Sequence, residues 1–395
     1  MMIEKIKCIE GLTEIPASMQ ETLVAAVAEY EQEGVFFLEE DYIRRVMEKT
    51  RAFTRVGEEL IAAAARLRAD APAAAYALFA CRAAEAHVAL VQSGALQGEP
   101  VAHPYLLLLA LLPGIERTFD LLCKRGIPED VILASLTQFE DCVFLYEERF
   151  GKRGLSPRYF NHMIGYFDGH FLNVGRLRFH LKKNEEIYLL ENKNTHERVL
   201  FLQDKCINAA GMICGTPPIG DTAELRVALE RVGEDYVGYP VWQNGKSARH
   251  AVILPAKDYT VLLAPGDEML GVHIPPLGAL STEVCEASYA RVREIFATCY
   301  PECAPKAFHC ESWMMAPELA EILRPTSNVL GFQKPYYRYP ILTEGKDVLN
   351  FVFKKREDAV LADLPEDTSL QRALKARYLR GEYLYEYGGV IPFGG

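Results

Sequence analysis

Residues 269–313 constrain the fold of this 395-residue chain more than any other stretch. Residues 269–274 are almost entirely apolar and are followed by two prolines, a pattern typical of a short strand buried on both faces. In residues 282–300 apolar side chains recur at steps of three and four, which predicts a helix with Ser281 as its N-cap. A second strand is predicted over residues 306–313. The stretch therefore predicts a βαβ unit, in which the two strands are parallel.

The loop between the first strand and the helix is a candidate anion site. The first backbone N–H groups of a helix have no partner within the helix, and they lie at the positive end of its dipole. We therefore expect the loop to be able to bind a pyrophosphate group.

Composition and charge predict an ordinary soluble protein. Half of the residues are hydrophobic and a quarter are charged, and the length favours two domains. The net charge of −11 argues against general binding to nucleic acid or to an anionic membrane. The first residues lack the features of a signal peptide, and the most apolar run is too short to cross a bilayer, so we expect a cytoplasmic location. The ten cysteines form no Cys-x-x-Cys pair, which favours free thiols and no metal site.

The two halves of the chain differ in periodicity. Residues 18–150 show helical spacing in segments 18–33, 39–70, 72–93, 104–124 and 128–150, which predicts a helical bundle. Strand-like alternation begins near residue 175, with strands predicted at 176–181, 186–191, 198–202, 329–337 and 348–354. Helices are predicted at 222–232, 316–323 and 370–380, and 238–255 is read as a loop or an edge strand. The prediction is an α+β chain with a helical N-terminal domain (1–153) and a mixed-sheet domain (154–395).

The element order of the second half resembles the GNAT-type N-acyltransferase fold, in which antiparallel strands precede the βαβ unit. Specific residues add to this resemblance: Gly175-Arg-Leu-Arg-Phe, Pro265-Gly-Asp, His273-Ile-Pro, Cys310-Glu-Ser-Trp and Ser327-Asn-Val-Leu-Gly-Phe-Gln. Together they are similar to a bacterial family of two-domain acyltransferase-like proteins. In that family a helical N-terminal domain precedes a GNAT-like C-terminal domain.

The resemblance implies a way of binding acyl-CoA or acetyl-CoA as co-substrate. In GNAT proteins two parallel strands separate at one end, the pantetheine arm lies between them, and the pyrophosphate contacts the N–H groups of the next helix. It assigns this binding to a strand end and the loop after it: Ile274, Leu277, Gly278, Ala279, Leu280 and Ser281. The usual phosphate-loop pattern, Gln/Arg-x-x-Gly-x-Gly/Ala, is incomplete here, and two prolines remove N–H donors.

Three residues are candidates for the chemistry. His273 would be a general base, or a histidine that bonds to backbone at the strand end. Cys310 would be a nucleophile, or a core thiol. Ser312 would donate to the leaving thiolate or to the oxyanion, or would satisfy a backbone group.

Arg176, Arg178 and Trp313 are candidates for substrate binding. Both arginines are predicted on one strand face, where they would contact a phosphate or an acidic substrate, or only solvent. Trp313 would be a stacking platform, or would close the core with Phe332. The helix at 316–323 has no tyrosine to act as the general acid, so Tyr336 or Tyr337 would take that role.

The function predicted from the sequence is direct transfer of an acyl group from a CoA thioester to an amine. The acceptor would be a small molecule or a peptide. The alternative is a non-catalytic GNAT-like scaffold that binds an acyl-thioester, a peptide or a protein. The oligomeric state stays open, with a homodimer among the options.

Overall fold

The computed structural model describes residues 2–6, 8, 9, 15, 17–88, 90, 102–216, 224–275, 278–355 and 359–393. The chain divides into two compact units, Met1–Val174 and Gly175–Gly395. The domain boundary predicted at 153/154 stays a prediction. The helical N-terminal region and the mixed-sheet C-terminal region are both confirmed.

The first unit is built from helices. They are α1 (Met2–Ile6), α2 (Gln20–Glu33), α3 (Glu40–Thr50), α4 (Gly57–Arg68), α5 (Ala71–Glu85), α6 (Leu106–Lys124), α7 (Glu129–Phe150) and α8 (Pro157–Ile164), followed by the strand β1 (Phe171–Val174). The alanine-rich α5 is buried on nearly every side and packs against α2 and α6. None of the helices within the described ranges is long and apolar enough to cross a membrane.

The second unit carries most of the strands. They are β2 (Leu177–Lys183), β3 (Ile187–Asn192), β4 (Arg198–Leu202), β5 (Lys205–Ile207), β6 (Leu225–Val227), β7 (Glu230–Val232), β8 (Asp235–Gly238), β9 (Pro240–Val241), β10 (Val252–Pro255), β11 (Tyr259–Leu263), β12 (Glu268–His273), β13 (Ala307–Ser312), β14 (Tyr337–Pro340) and β15 (Tyr387–Pro392). The helices are α9 (Thr282–Cys299), α10 (Leu319–Ile322), α11 (Asn328–Gln333), α12 (Asp347–Phe351) and α13 (Ser369–Leu379). The predicted βαβ unit is β12, α9 and β13.

The main sheet of the second unit contains β2, β12, β13, β15 and β14 in that order. The central pair, β12 and β13, is parallel, and the other neighbours are antiparallel. A four-stranded sheet, β11-β3-β4-β9, supplies Leu189, Leu200 and Leu263 to a core that also holds Met269 and Val390 of the main sheet. One face of the main sheet is therefore covered by apolar side chains at the end that carries Met269. The polar residues of that face lie nearer the other end of β12.

The helix predicted over residues 39–70 is wrong as a single helix. The chain breaks after α3, where Arg51 and Phe53 have φ values of 52° and 63°. The buried carboxylate of Glu140 accepts hydrogen bonds from the N–H groups of Arg55 and Val56, at 2.6 and 3.1 Å. This partner comes from a distant helix, so local spacing gives no sign of the break.

Three predicted elements of the second half are also wrong. In the described part of residues 222–232 there are two short strands, because β6 pairs with β5 and β7 with β8. Residues 328–333 form α11 rather than a strand, because the Ser327 hydroxyl accepts from the N–H of Val329 and caps the helix. Residues 347–351 form α12, where the carboxylate of Glu386 accepts from the first N–H, that of Asp347.

Candidate active site

The two central parallel strands separate before they end. Their register pairs Met269 with Ala307, Leu270 with Phe308 and Gly271 with His309, and it stops there. Strand β12 nevertheless continues to His273 against β2, and β13 continues to Ser312 against β15. We call the diverging ends, residues 272–273 and 310–312, the wedge. Beyond Gly271 and His309 the two strands no longer pair with each other, although each keeps its outer partner.

The two faces of the main sheet differ in character. On one face, α9 places Tyr289 against Phe179 and Phe308, with ring centroids 6.1 and 4.5 Å apart. Gly271 lies directly opposite both His180 and His309, so these residues share the other face. The helix covers the apolar face, and the histidines lie on the opposite one.

Arg176 holds the loop that follows β12. Its guanidinium donates hydrogen bonds to the carbonyl oxygens of Pro275, Gly278 and Ala279, at 2.9, 3.4 and 3.1 Å. The prediction that Arg176 lies on the face of a strand is wrong, because it lies in the turn before β2. Since three carbonyls occupy the guanidinium, its geometry indicates a residue that positions the loop.

The start of α9 is the predicted pyrophosphate seat. Ser281 is the N-cap residue and its side chain makes no capping hydrogen bond to the backbone. The Ser281 hydroxyl and the N–H of Glu283 instead bond to the Glu283 carboxylate, which holds the pKa of that carboxyl below its usual range. An acidic group thus lies where the anion would bind. The loop before α9 contains four of the residues predicted to bind the pyrophosphate: Gly278, Ala279, Leu280 and Ser281. A fifth, Leu277, lies outside the described residues.

His273 does not stand alone at the end of β12. Its Nε2 atom lies 3.0 Å from Nδ1 of His180 on the neighbouring strand. The His180 ring lies over Gly271, where a Cβ atom would be 2.1 Å from the ring carbon Cε1. Arg178, directly opposite His273, is 7 % exposed and is therefore no surface arginine. The glycine permits the contact between the two imidazoles.

A second polar group lies on the same face at β13. The hydroxyl of Tyr339 is 2.6 Å from Nε2 of His309, which is buried. Burial, together with the charge of Lys182, holds the pKa of His309 well below its usual range. His309 is therefore neutral near pH 7, and its contact with Glu311 is no ion pair.

An acidic cavity of about 390 Å³ opens beyond the end of β13. It is lined by Glu311, Ile341, Leu342, Thr343, Glu344, Lys346, Asp347 and Glu386. Burial and repulsion from Asp347 raise the pKa of Glu386 to about 7. A carboxyl with such a pKa can accept or donate a proton under physiological conditions.

The structure assigns plain structural contacts to the other predicted residues. Cys310 is buried on the α9 face, where burial raises the pKa of its thiol to about 12. Such a thiol is a poor nucleophile. The Ser312 hydroxyl accepts from the N–H of Met314 and caps the short turn Trp313–Met315. Ile274 follows β12 and Trp313 follows β13, and both are partly buried at the end of the wedge where the two strands finish.

Of the two tyrosines predicted as general acids, Tyr336 is fully enclosed. Its hydroxyl lies 2.6 Å from that of Tyr289, and burial raises its pKa well above the usual value. It lies on the α9 side, with Cys310. Tyr337 begins β14 and is partly buried.

Sequence reasoning missed four residues of this site: His180, His309, Tyr339 and Glu386. A signal existed for two of them. Alternation in β2 and β13 places His180 beside Arg178 and His309 beside Glu311 on one face. The pairing of those strands, which brings the two sets together, was not available from spacing.

The chain is similar in fold to solved structures that are described as acyltransferases. One, an acyltransferase in complex with decanoyl-CoA and teicoplanin, has a TM-score of 0.65 and 19 % identity over 98 % of both chains. Another, an acyltransferase mutant in complex with octanoyl-CoA, has a TM-score of 0.65 and 18 % identity over 99 % of both chains. At this identity the likeness establishes the fold. Among curated proteins there is no match.

A family model for the GNAT-like C-terminal domain matches residues 171–391. The match includes the whole βαβ unit, the wedge and the closing strand β15, and it spans more than half of the chain. The helices before residue 171 lie outside the match, and the mixed-sheet region lies within it. The chain therefore belongs to the family of proteins with a GNAT-like C-terminal domain.

Proposed function

We propose that the protein is an acyl-CoA-dependent N-acyltransferase. One observation carries this proposal: β12 and β13 stop pairing at Gly271 and His309, although both strands continue. An extended pantetheine arm fits between two such strands and can bond to their backbone groups. The acyltransferases of similar fold were solved with decanoyl-CoA and octanoyl-CoA, which supports an acyl-CoA co-substrate here.

The phosphate end of the co-substrate would bind at the loop before α9. Arg176 fixes this loop through three carbonyl oxygens, so the amides of residues 278–281 are presented in one arrangement. The positive end of the α9 dipole favours an anion there. Glu283 would have to turn away and give up its bonds to the Ser281 hydroxyl and to its own N–H, which solvent can replace because the side chain is exposed.

Chemistry would take place on the histidine face of the wedge. The amine nitrogen attacks the thioester carbonyl carbon, and a backbone N–H of β12 stabilises the tetrahedral oxyanion. His273 accepts a proton from the attacking nitrogen, and His180, bonded to it, keeps its ring oriented. The C–S bond then breaks, the CoA sulfur leaves as a thiolate, and it is protonated by solvent or by the imidazolium formed.

The acidic cavity supports an amine acceptor. Its carboxylates, Glu311, Glu344, Asp347 and Glu386, would attract a protonated amine, and Lys346 is the cation among its lining residues. Glu386, with a pKa of about 7, would remove the proton that keeps the amine unreactive. One acyltransferase of similar fold was solved with teicoplanin, which supports a small-molecule acceptor. A peptide acceptor, acetyl-CoA as the co-substrate, a homodimer and a cytoplasmic location stay predictions.

A non-catalytic acyl-thioester-binding scaffold is the second candidate. The enclosure of Tyr336 favours it, because a hydroxyl buried on the α9 side cannot act as a general acid on the histidine face. The two candidates differ in whether the bound acyl group is transferred to an amine.

Two measurements decide between them. Thermal-shift titration with CoA, acetyl-CoA, octanoyl-CoA and decanoyl-CoA measures binding, and thiol release with a panel of amines measures transfer. We expect a shift with an acyl-CoA, and thiol release that needs both amine and protein. Binding without turnover over a broad amine panel would support the scaffold, and no shift with any thioester would refute both.

Substitution of two histidines tests the mechanism. His273→Ala should lower kcat by roughly 10²–10⁴-fold, the usual contribution of a general base, with little change in the KM for acyl-CoA. His250→Ala, at an exposed position of a loop, is the matched control and should leave kcat unchanged. Equal activity of both variants would exclude His273 as the base.

A further inference from the structure

Cys206 and Cys214 lie directly opposite each other in a short hairpin of the second unit. Cys206 belongs to β5, and an antiparallel bridge joins Ile207 to Ile213. The N–H of Cys214 donates to the carbonyl oxygen of Cys206 at 2.8 Å. Directly opposite residues of an antiparallel pair place their side chains on the same face.

The turn of this hairpin fixes the register of the two cysteines. The N–H of Asn208 donates to the carbonyl of Met212 at 2.8 Å, and the Asn208 side chain accepts from the N–H groups of Ala210 and Met212, each at 3.0 Å. Gly211 has a φ of 77°, the left-handed conformation that glycine adopts without strain. A slip of one residue would break all of these bonds, so the cysteines are held opposite each other.

The two sulfur atoms are 2.8 Å apart. Hydrogen-bonded antiparallel pairs have Cα atoms about 5.5 Å apart, which lies inside the range of about 4.4–6.8 Å found for disulfides. A closing movement of about 0.8 Å would reach the bond length of about 2.05 Å. Two thiolates on one zinc ion, each at about 2.3 Å in tetrahedral geometry, would instead be about 3.8 Å apart.

We propose that Cys206 and Cys214 are a modification site that forms a reversible intramolecular disulfide, with a low-molecular-weight disulfide as the oxidant. Both residues are partly exposed, so a small reagent can reach them. No Cys-x-x-Cys spacing marks this pair in the sequence, because the two residues come together only in the hairpin. This inference does not depend on the proposed transferase activity.

The chemistry is two successive exchanges. The thiolate of one cysteine attacks the small disulfide, whose S–S bond breaks, and one small thiol leaves. The thiolate of the other cysteine then attacks the protein sulfur of this mixed disulfide, and the second small thiol leaves. The two cysteines lose two electrons and two protons, and the small disulfide gains both as two thiols.

The cross-link would restrain a hairpin that supports the closing strand of the main sheet. The hydroxyl of Tyr387, the first residue of β15, lies 3.4 Å from Sδ of Met212. The carbonyl of Gly211 accepts from the N–H of Ser247 at 3.0 Å. Oxidation should therefore raise thermal stability as well as remove two thiols.

The test treats the full chain with oxidised glutathione and then blocks the remaining thiols with an alkylating reagent. Peptide mass spectrometry should find residues 206 and 214 cross-linked, with two alkylation sites lost and both regained after reduction. The melting temperature should rise by about 5 °C on oxidation, because a short loop is closed in the unfolded chain. Cys206→Ser and Cys214→Ser should each abolish the rise, and Cys123→Ser, at an exposed cysteine of α6, should keep it.

Three outcomes would overturn the proposal. In the first, both thiols stay open to alkylation after oxidation. In the second, glutathione remains attached to one of them and no cross-link forms. In the third, the purified protein holds one zinc ion that both serine variants lose, since the Glu224 carboxylate lies within 4.8 Å of both sulfurs and completes a three-ligand set.

Discussion

Nδ1 of His180 lies 3.0 Å from Nε2 of His273, although the two residues are 93 positions apart in the sequence. Their ring centroids are 4.9 Å apart. The contact depends on Gly271, because the His180 ring occupies the space that any other residue would fill with its Cβ. The last residue of β12 that pairs with β13 is thus a glycine for a steric reason.

Gly271→Ala should separate the two imidazoles. The new Cβ would be 2.1 Å from Cε1 of His180, so the ring must move. We expect kcat to fall by about 10²-fold, since a displacement of about 1 Å near the chemistry has that effect, while the KM for acyl-CoA changes little. Steady-state kinetics with thiol detection measures both.

A double substitution separates steric damage from lost chemistry. His180→Ala in the Gly271→Ala background removes the clash, so it should recover the melting temperature but not kcat. If the single Gly271→Ala variant keeps full activity, the imidazole contact has no role in transfer.

Arg176→Ala should weaken acyl-CoA binding by about tenfold with little effect on kcat. The substitution removes three hydrogen bonds to the carbonyls of the loop and leaves its amides without a fixed arrangement. Arg176→Lys should weaken acyl-CoA binding almost as much, because an ammonium group lacks the planar fork that reaches several carbonyls. Arg226→Ala removes an exposed arginine paired with Asp204 and should match wild type in a binding titration.

Glu283→Gln should have opposite effects on binding and on stability. Removing the negative charge at the start of α9 should tighten CoA binding about two- to fivefold, and it should slightly lower the melting temperature, because a carboxylate there interacts favourably with the helix dipole. Isothermal titration and thermal unfolding measure the two effects. Glu286→Gln, at an exposed position farther along α9, should show neither. Unchanged affinity in Glu283→Gln would mean that no anion binds at this helix end.

The free energy of unfolding of the second unit should fall as the pH rises from the pKa of Glu386 in the unfolded chain to its pKa in the folded protein. Its pKa is raised to about 7, so the folded protein keeps a proton that the unfolded chain has already released. The stabilisation is complete below the ordinary pKa of about 4.5, and it is lost as the pH approaches 7. We expect a loss of up to about 3 kcal/mol between these limits.

Glu386→Gln should remove this pH dependence, because an amide does not titrate in this range. Urea unfolding at several pH values measures it, and Glu344→Gln, at an exposed carboxyl of the same cavity, should keep the wild-type slope. Identical slopes for wild type and Glu386→Gln would contradict the assignment. The neighbouring charges Asp347, Lys346 and Glu311 are unchanged in both variants.

Local periodicity was sufficient to predict the helices and strands whose conformation is decided by neighbouring residues in the sequence. The apolar run in β12, the spacing in α9 and the alternation in β2 each predicted the observed element. It failed where a distant partner decides the structure, as at the break after α3, which Glu140 stabilises, and at α12, whose first N–H bonds to Glu386.

In the candidate site, too, the residues marked by local patterns were predicted and those brought together by distant pairing were not. His273 and the loop of Gly278 to Ser281 were predicted, because a strand end and a helix start are visible in the sequence. The partners of His273 and the acidic cavity were not, because strand pairing and the return of the chain at β15 bring them together. Sequence spacing contains no information on those pairings.

The main sheet is in effect two ribbons, β2–β12 and β13–β15–β14, joined by only three pairs of residues at one end. No ladder of hydrogen bonds fixes the angle between them at the other end. That angle must be set by the side chains of Phe179, Tyr289 and Phe308, which pack beneath the junction. The width of the wedge is thus a property of core packing, and altering the size of these rings would change how far β12 and β13 separate.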